Sequence, residues 1–300
     1  MSAWLFDLGN SRLKCAPLGA DGRPGELLAF PHEDGALAPG WAGALPPRIE
    51  AAYVASVASP ALRLVLLDAL ATRCGRISVA TTRRTWQGLR IAYDDPARLG
   101  VDRFLTLLAA HGRGGAWLVV GVGTALTIDL VDADGRHHGG RIAPAPTLMR
   151  QSLQARAGQL PAAGGEYRVF ADGTLDALAS GCLGAALALV EQSRAAAAQA
   201  CGGPVSLLLH GGGAAELLPH LGDAVSEPGL VLEGRWVGRK GGLRFTQFRD
   251  ELGHALLHCA LRASPPLKVD LTAKRSRGKR KRPGCGTKAK PVDSRQLTVC

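Results

Sequence analysis

Phe6-Asp7-Leu8-Gly9-Asn10-Ser11-Arg12-Leu13-Lys14 is an apolar strand that runs into a small polar turn and out again. The chain repeats the device 114 residues later, in Val120-Gly121-Val122-Gly123-Thr124-Ala125-Leu126-Thr127-Ile128-Asp129. Phe6 falls on Val120, Leu8 on Val122, Gly9 on Gly123 and Asn10 on Thr124. The first copy predicts strands over residues 3–8 and 13–18, the second over 116–122 and 126–131. Outward from these hairpins, apolar residues recur every three or four positions and predict helices over 61–73, 103–111, 148–157, 175–200 and 214–221. Two α/β halves that each open on a hairpin at the cleft would set the two turns facing one another.

Turns of this kind suit phosphate. Glycine lets the backbone approach an anion closely, and successive N–H groups form a concavity that binds it. A neighbouring carboxylate can hold the magnesium that accompanies a nucleotide. Asp7 supplies that carboxylate, and Lys14 adds a point charge as the only lysine in residues 1–237. Alone, residues 7–11 read equally well as an ordinary hairpin turn. Other nucleotide motifs are absent: there is no GxxxxGK[ST], and Leu126 stands where a third glycine would complete a dinucleotide fingerprint after Gly121 and Gly123. His254 and His258 have metal-ligand spacing but lack the metalloprotease glutamate, and His137-His138, set among glycines, reads as turn.

Charge and cysteine content narrow the class. The net charge of +11 suggests a polyanion partner, yet residues 1–237 carry 20 basic and 21 acidic side chains while 238–300 carry 16 and 4. The basicity belongs to the C-terminal segment. Residues 241–263 predict a helix, with Phe245, Phe248, Leu252, Leu256 and Leu257 near one face. Residues 264–300, with Lys274-Arg275-Ser276-Arg277-Gly278-Lys279-Arg280-Lys281-Arg282, read as a disordered extension, and nucleic-acid contact is the less favoured reading. Seven scattered cysteines form no CxxC pair, as expected of thiols in a reducing cytoplasm. The apolar run 116–131 is broken by Gly121, Gly123 and Asp129, so no membrane span is expected there.

Further motifs stand in order along residues 3–234. They are Tyr93-Asp94-Asp95-Pro96, Leu99-Gly100-Val101-Asp102-Arg103, Gly139-Gly140-Arg141-Ile142-Ala143-Pro144, Thr174 with Asp176, Gly211-Gly212-Gly213 and Pro228-Gly229-Leu230-Val231-Leu232-Glu233-Gly234. With the two hairpins, this set resembles the type III pantothenate kinases of the acetate and sugar kinase, Hsp70 and actin superfamily. The resemblance implies an α/β, duplicated ribonuclease H-like fold of two lobes (1–115 and 116–237), with ATP in the central cleft. It implies phosphorylation of pantothenate to 4′-phosphopantothenate, the opening step of coenzyme A synthesis, in a cytoplasmic homodimer. Asp7, Leu8, Gly9, Asn10, Ser11, Arg12, Leu13, Lys14 and Thr124 would bind ATP, with Asp7 toward Mg2+ and residues 211–213 by the adenosine. Tyr93, Gly100, Val101, Asp102 and Arg103 would bind pantothenate, with Thr174 reaching it across the dimer interface. Asp102 would be the general base, and a carboxylate near a primary hydroxyl does suit a loose phosphoryl transfer in which the proton leaves late. Arg103 has two candidate partners, the substrate carboxylate or the transferring phosphate.

Two positions depart from the family pattern. The second hairpin usually carries an aspartate that holds an activating monovalent cation, K+ or NH4+; here Gly121 stands in its place. Three outcomes follow: the enzyme works without the cation, another acid such as Asp129 substitutes, or activity is lost. The expectation is reduced or absent activation by potassium. Ala145 replaces a family glycine, which would be costly if that position required positive φ. The alternative function is that of a catalytically weak relative acting as a transcription-accessory or regulatory protein.

Overall fold

The computed structural model describes residues 3–33 and 35–234 and the backbone of a strand at 246–249. The chain divides into residues 1–258, which hold everything described, and residues 259–300. Two sheets carry the same plan. In the first, β1 (Ala3–Leu8) pairs antiparallel with β2 (Arg12–Leu18), which pairs with β3 (Leu28–Glu33), itself followed by the short β4 (Ala36–Leu37). On its other side β1 runs parallel to β5 (Ala51–Ser56), and after helix α1 (Pro60–Ala71) β5 pairs parallel with β6 (Arg76–Val79). A small hairpin follows, β7 (Thr85–Trp86) with β8 (Leu89–Arg90), and then α2 (Val101–His111).

The second sheet is opened by β9 (Trp117–Val122) and β10 (Ala125–Val131), with β11 (His137–Pro144) outside them. Helices α3 (Pro146–Arg156) and α4 (Thr174–Cys201) lead to β12 (Ser206–His210), parallel to β9. After the short α5 (Ala214–Leu217) comes β13 (Val225–Ser226). Within the seven-stranded first sheet the run β3–β2–β1–β5–β6 repeats the order β11–β10–β9–β12–β13 of the second, with the first three strands of each antiparallel and the last two parallel to the central one. This is the duplicated ribonuclease H-like arrangement. β1 and β9 coincide under the 114-residue offset, end to end.

The local reasons are ordinary ones. β1 and β9 are central strands covered on both faces, so their runs are continuously apolar and buried. α1 starts where Ser59 accepts a hydrogen bond from the Leu62 amide and Pro60 takes the first helical position. α2 begins at Val101, two residues before the periodicity predicts, because Gly100 caps it and Asp102 fits its first turn. Its residues Phe104, Leu105, Leu107 and Leu108 share one buried cluster with Ala55 of β5 and with Val119, Val131 and Leu208 of the second sheet. This helix is the wedge between the two sheets.

Three expectations change. His137 and His138 are in β11, not a turn; the turn is made by residues 132–136, where Gly135 N–H donates to Asp132 C=O and Asp132 N–H to Arg136 C=O. Ala145 has φ −71° and ψ 161°, extended backbone that any residue adopts, so it carries no strain. Residues 246–249 form a strand, β14 (Thr246–Arg249), antiparallel to β6, so no helix runs through them. The rest of the helix expected over 241–263, and the 264–300 extension, lie outside the described residues.

Among the described residues α4 is long and apolar enough to cross a membrane by length and composition, with mean hydropathy 1.4 over its best window. It packs Cys182, Leu183, Ala186, Leu187, Val190 and Ala197 inward, and Leu183, Ala186, Leu187, Val190 and Ala197 join the second sheet's core. Only 28% of that window is buried, and Val169 and Phe170 just before the helix are 78% and 96% exposed.

The wedge role of α2 is testable. Phe104 is fully buried, and Phe104→Ala should lower unfolding stability by about 3–5 kcal/mol, read from the midpoint of urea denaturation.

Candidate active site

The two hairpin turns meet. Ser11 Oγ lies 2.5 Å from Thr124 Oγ1, a hydrogen bond between side chains 113 residues apart. Each turn is closed by its own backbone: Gly9 N–H donates to Arg12 C=O, and Gly123 N–H to Ala125 C=O, both at 3.0 Å. His32 of β3 steadies the first turn, with Nε2 2.9 Å from Gly9 O and its amide donating to Ser11 O. Ala145 N–H donates to Thr124 O and ties the start of α3 to the second. A third wall comes from residues 211–213, where Gly213 N–H donates to Val122 O. Gly211 there has φ +94°, and a Cβ on it would collide with the Val122 carbonyl. Beside it, a Cβ on Gly212 would lie 3.5 Å from Arg12 Nη1.

Behind the exposed turn atoms, Asp7 is 8% exposed and sits opposite Lys14 in the β1–β2 register. No group of three or more His, Cys, Asp or Glu side chains able to hold a metal occurs among the described residues. A single carboxylate at the turn fits a magnesium ion that brings phosphate and water as its other ligands.

The start of α2 adjoins the first turn. Val57 N–H donates to Leu8 O at the end of β1, and Val57 Cγ1 lies 3.6 Å from where a Cβ on Gly100 would stand. Asp102 follows in the helix's first turn, its Oδ1 accepting from the Arg103 amide at 2.8 Å. Burial raises its pKa above the ordinary carboxylate value, against the opposing pull of the Arg103 amide and charge, and Asp129 adds to the rise.

Arg103 is buried and bonded through all three of its guanidinium nitrogens. Nε donates to Asp129 Oδ2 at 2.7 Å, Nη2 to Asp129 Oδ1 at 2.6 Å, and Nη1 to the Tyr93 hydroxyl at 3.3 Å. His137 completes the group, with Nε2 3.0 Å from Asp129 Oδ1 and its ring stacked on Tyr93 at 6.1 Å. Because Ala92 N–H donates to His137 Nδ1, the ring proton sits on Nε2 and points at Asp129. Burial alone would raise the Asp129 pKa; the bonds from His137 and Arg103 outweigh it and hold Asp129 low. Gly140 is what makes room, since a Cβ there would strike Asp129 Oδ1 and the Ile128 carbonyl.

Asp129 is therefore committed to Arg103 and His137 and does not substitute for the missing acid at position 121. Arg103 finds partners for three of its five N–H donors in Asp129 and Tyr93, and the other two leave both candidate substrate partners open. Residues 7–14, Thr124 and 211–213 come together at the turns, and Tyr93 with 100–103 gathers at the start of α2. Thr174 opens α4 on the exposed surface, and no hydrogen bond ties it to Tyr93, Asp102 or Arg103 among the described residues. Sequence reasoning missed His32, His137 and His210 as site-shaping residues. The one available signal was His210, a polar residue ending the buried run 207–209 just before three glycines.

Comparison with known proteins gives the family. The family model described as type III pantothenate kinase matches residues 4–196. A type III pantothenate kinase of Stenotrophomonas maltophilia (strain K279a) is 55% identical over 241 residues, covering 79% of this chain and 97% of that protein. One from Xanthomonas axonopodis pv. citri (strain 306) is 54% identical over 235 residues, covering 78% and 96%. Among solved structures, a conserved Campylobacter jejuni protein, described as a Baf family transcriptional activator, superposes with TM-score 0.53 at 17% identity, over 79% of this chain and 98% of that one. That likeness carries the fold alone. With the family model spanning most of the chain and relatives above half identity over nearly their whole length, the chain belongs to the type III pantothenate kinase family.

Proposed function

We propose that this chain transfers the γ-phosphoryl group of ATP to the primary hydroxyl of pantothenate, giving 4′-phosphopantothenate and ADP at the first step of coenzyme A synthesis. The observation that carries this is the meeting of the two turns at Ser11 and Thr124, with a raised-pKa carboxylate, Asp102, on the neighbouring helix start. The turns hold the phosphates: Gly9, Asn10 and Ser11 from one side, Thr124 from the other, with Lys14 as a fixed positive charge. Asp7 would hold Mg2+ through the nucleotide, and the ion would offset negative charge on the phosphates. Residues 211–213 border the adenosine.

Asp102 orients the acceptor hydroxyl and takes its proton as the new O–P bond forms and the bond to the β-phosphate bridging oxygen breaks. Burial suits it to this task, because a raised pKa makes a stronger base. Arg103 and Asp129 hold Tyr93 at the acceptor side, and Tyr93, Gly100 and Val101 border pantothenate. The regulatory alternative has no comparable observation behind it, since the activator-like likeness reaches only the fold.

The exposed apolar surface around Val169, Phe170 and Leu175 fits a second copy of the chain, which would bring Thr174 to the partner's acceptor site. We place the boundary between the lobes at residues 115 and 116, and the cytoplasm is the fitting compartment for the four described cysteines, none of which is in a disulfide.

Four outcomes are expected. Asp102→Asn should lower kcat in a coupled ADP assay by about 10²–10⁴-fold. The same variant should unfold no more easily than the parent, because a carboxyl whose folded pKa is raised costs stability when ionised and Asn removes that charge. In the parent, kcat/KM should fall as pH drops through the raised pKa of Asp102, so the acid limb should lie above the ordinary carboxylate range, as a pH–rate profile would show. Phe170→Glu should shift the protein to monomer in light scattering and raise KM for pantothenate more than KM for ATP.

A further inference from the structure

Gly121, Thr127 and His210 stand side by side across three strands. Gly121 of β9 pairs with Thr127 of β10 on one side and with His210 of β12 on the other. In-register neighbours on adjacent strands project to the same face of a sheet. The space over Gly121 is already taken: a Cβ there would lie 2.6 Å from Thr127 Oγ1 and 2.7 Å from His210 Nε2, with Cε1 at 2.8 Å. An aspartate side chain at this position cannot be accommodated while the imidazole remains. The row lies two residues before Gly123 and Thr124 on one strand, and His210 directly precedes Gly211. It forms the base of the second phosphate turn.

A monovalent cation finds the wrong donors here. Hard cations take oxygen ligands, and the position that would supply a carboxylate is Gly121, covered by an imidazole. Burial pushes the His210 pKa down to about 4, and the nearby Lys14 charge pushes the same way. The ring is therefore neutral in the cell, and the local positive charge is the Lys14 ammonium, which would repel a second cation. Asp129, the remaining acid whose field reaches His210, is spent on Arg103 and His137.

We propose that His210 stands in for the activating monovalent cation: its imidazole fills the space over Gly121, braces β9, β10 and β12 at the root of the second turn, and lets phosphoryl transfer run without potassium or ammonium. This rests on the kinase reading above. The test is the ADP-release rate of the full chain with pantothenate and Mg-ATP, as KCl or NH4Cl replaces choline chloride at constant ionic strength. The rate should change by less than about threefold, below the 5–150-fold of a typical allosteric coupling. A saturable, potassium-specific rise beyond that overturns the proposal.

Absence of turnover in every salt would instead strike the kinase reading, so a second measurement is independent of turnover. Thermal unfolding midpoints with and without Mg-ADP should be the same in KCl and choline chloride, and a saturable potassium-specific shift overturns the proposal. The double variant Gly121→Asp, His210→Thr restores oxygen donors and should acquire potassium activation. A folded double variant as indifferent to potassium as the parent counts against the assignment of the effect to His210. If the double variant does not fold, the titrations of the parent decide.

Discussion

The buried pair of Arg103 and Asp129 is the constraint on which the site depends. Arg103 is on the helix wedged between the sheets, one residue after Asp102, and Asp129 is on a central hairpin strand of the second sheet. Two short bonds from one guanidinium to one carboxylate fix both the distance and the rotation of the helix start relative to that strand. Such a pair is weak evidence for stability, because desolvating two charges consumes most of what their attraction returns. What it supplies is placement. Losing one partner would leave a charge buried, which in comparable pairs costs about 3–5 kcal/mol. Gly140, Tyr93 and His137 are all fitted around this pair, which is why a glycine-rich, histidine-bearing segment is found in a strand.

The same pair separates two carboxylates electrostatically. Asp129 is held low by its donors, while Asp102, buried on the neighbouring element and feeling the Asp129 charge, is pushed up. One acid is held toward its ionised form by the groups around it, and the other is pushed toward its neutral form, as the proposed proton acceptor would be. Environments that drive two nearby carboxyl groups apart are how one fold assigns its acid–base roles.

Much of the architecture was legible because the hairpins are buried on both faces. Continuous apolar runs ending in Gly-Asn-Ser and Gly-Thr left little choice of strand limits, and the 114-residue repeat carried the duplication. Helix limits fell within a few residues, since packing faces impose the 3.6-residue period. β11 was illegible because Gly139 and Gly140 are poor strand formers; Gly139 has φ +102°, and Gly140 answers to Asp129, which no local pattern reveals. His210 was hidden for a related reason. Its meaning lies in the missing side chain at Gly121, 89 residues away in sequence and adjacent in the sheet. Asp102 and Tyr93 were found through the family's motifs, whereas their electrostatic setting emerged only from the packing.

The Ser11–Thr124 bond has a consequence for how the cleft fills. Each hydroxyl is the other's hydrogen-bond partner, so the tips of the two turns are tied by the chain's own side chains. A phosphate spanning both turns inherits two hydroxyls already at the right separation, and forfeits in return one neutral hydrogen bond, a net sum of about 0.5–1.5 kcal/mol. A bond between side chains 113 residues apart thus joins two turns that belong to different sheets, and the span between the sheets is bridged by the chain itself.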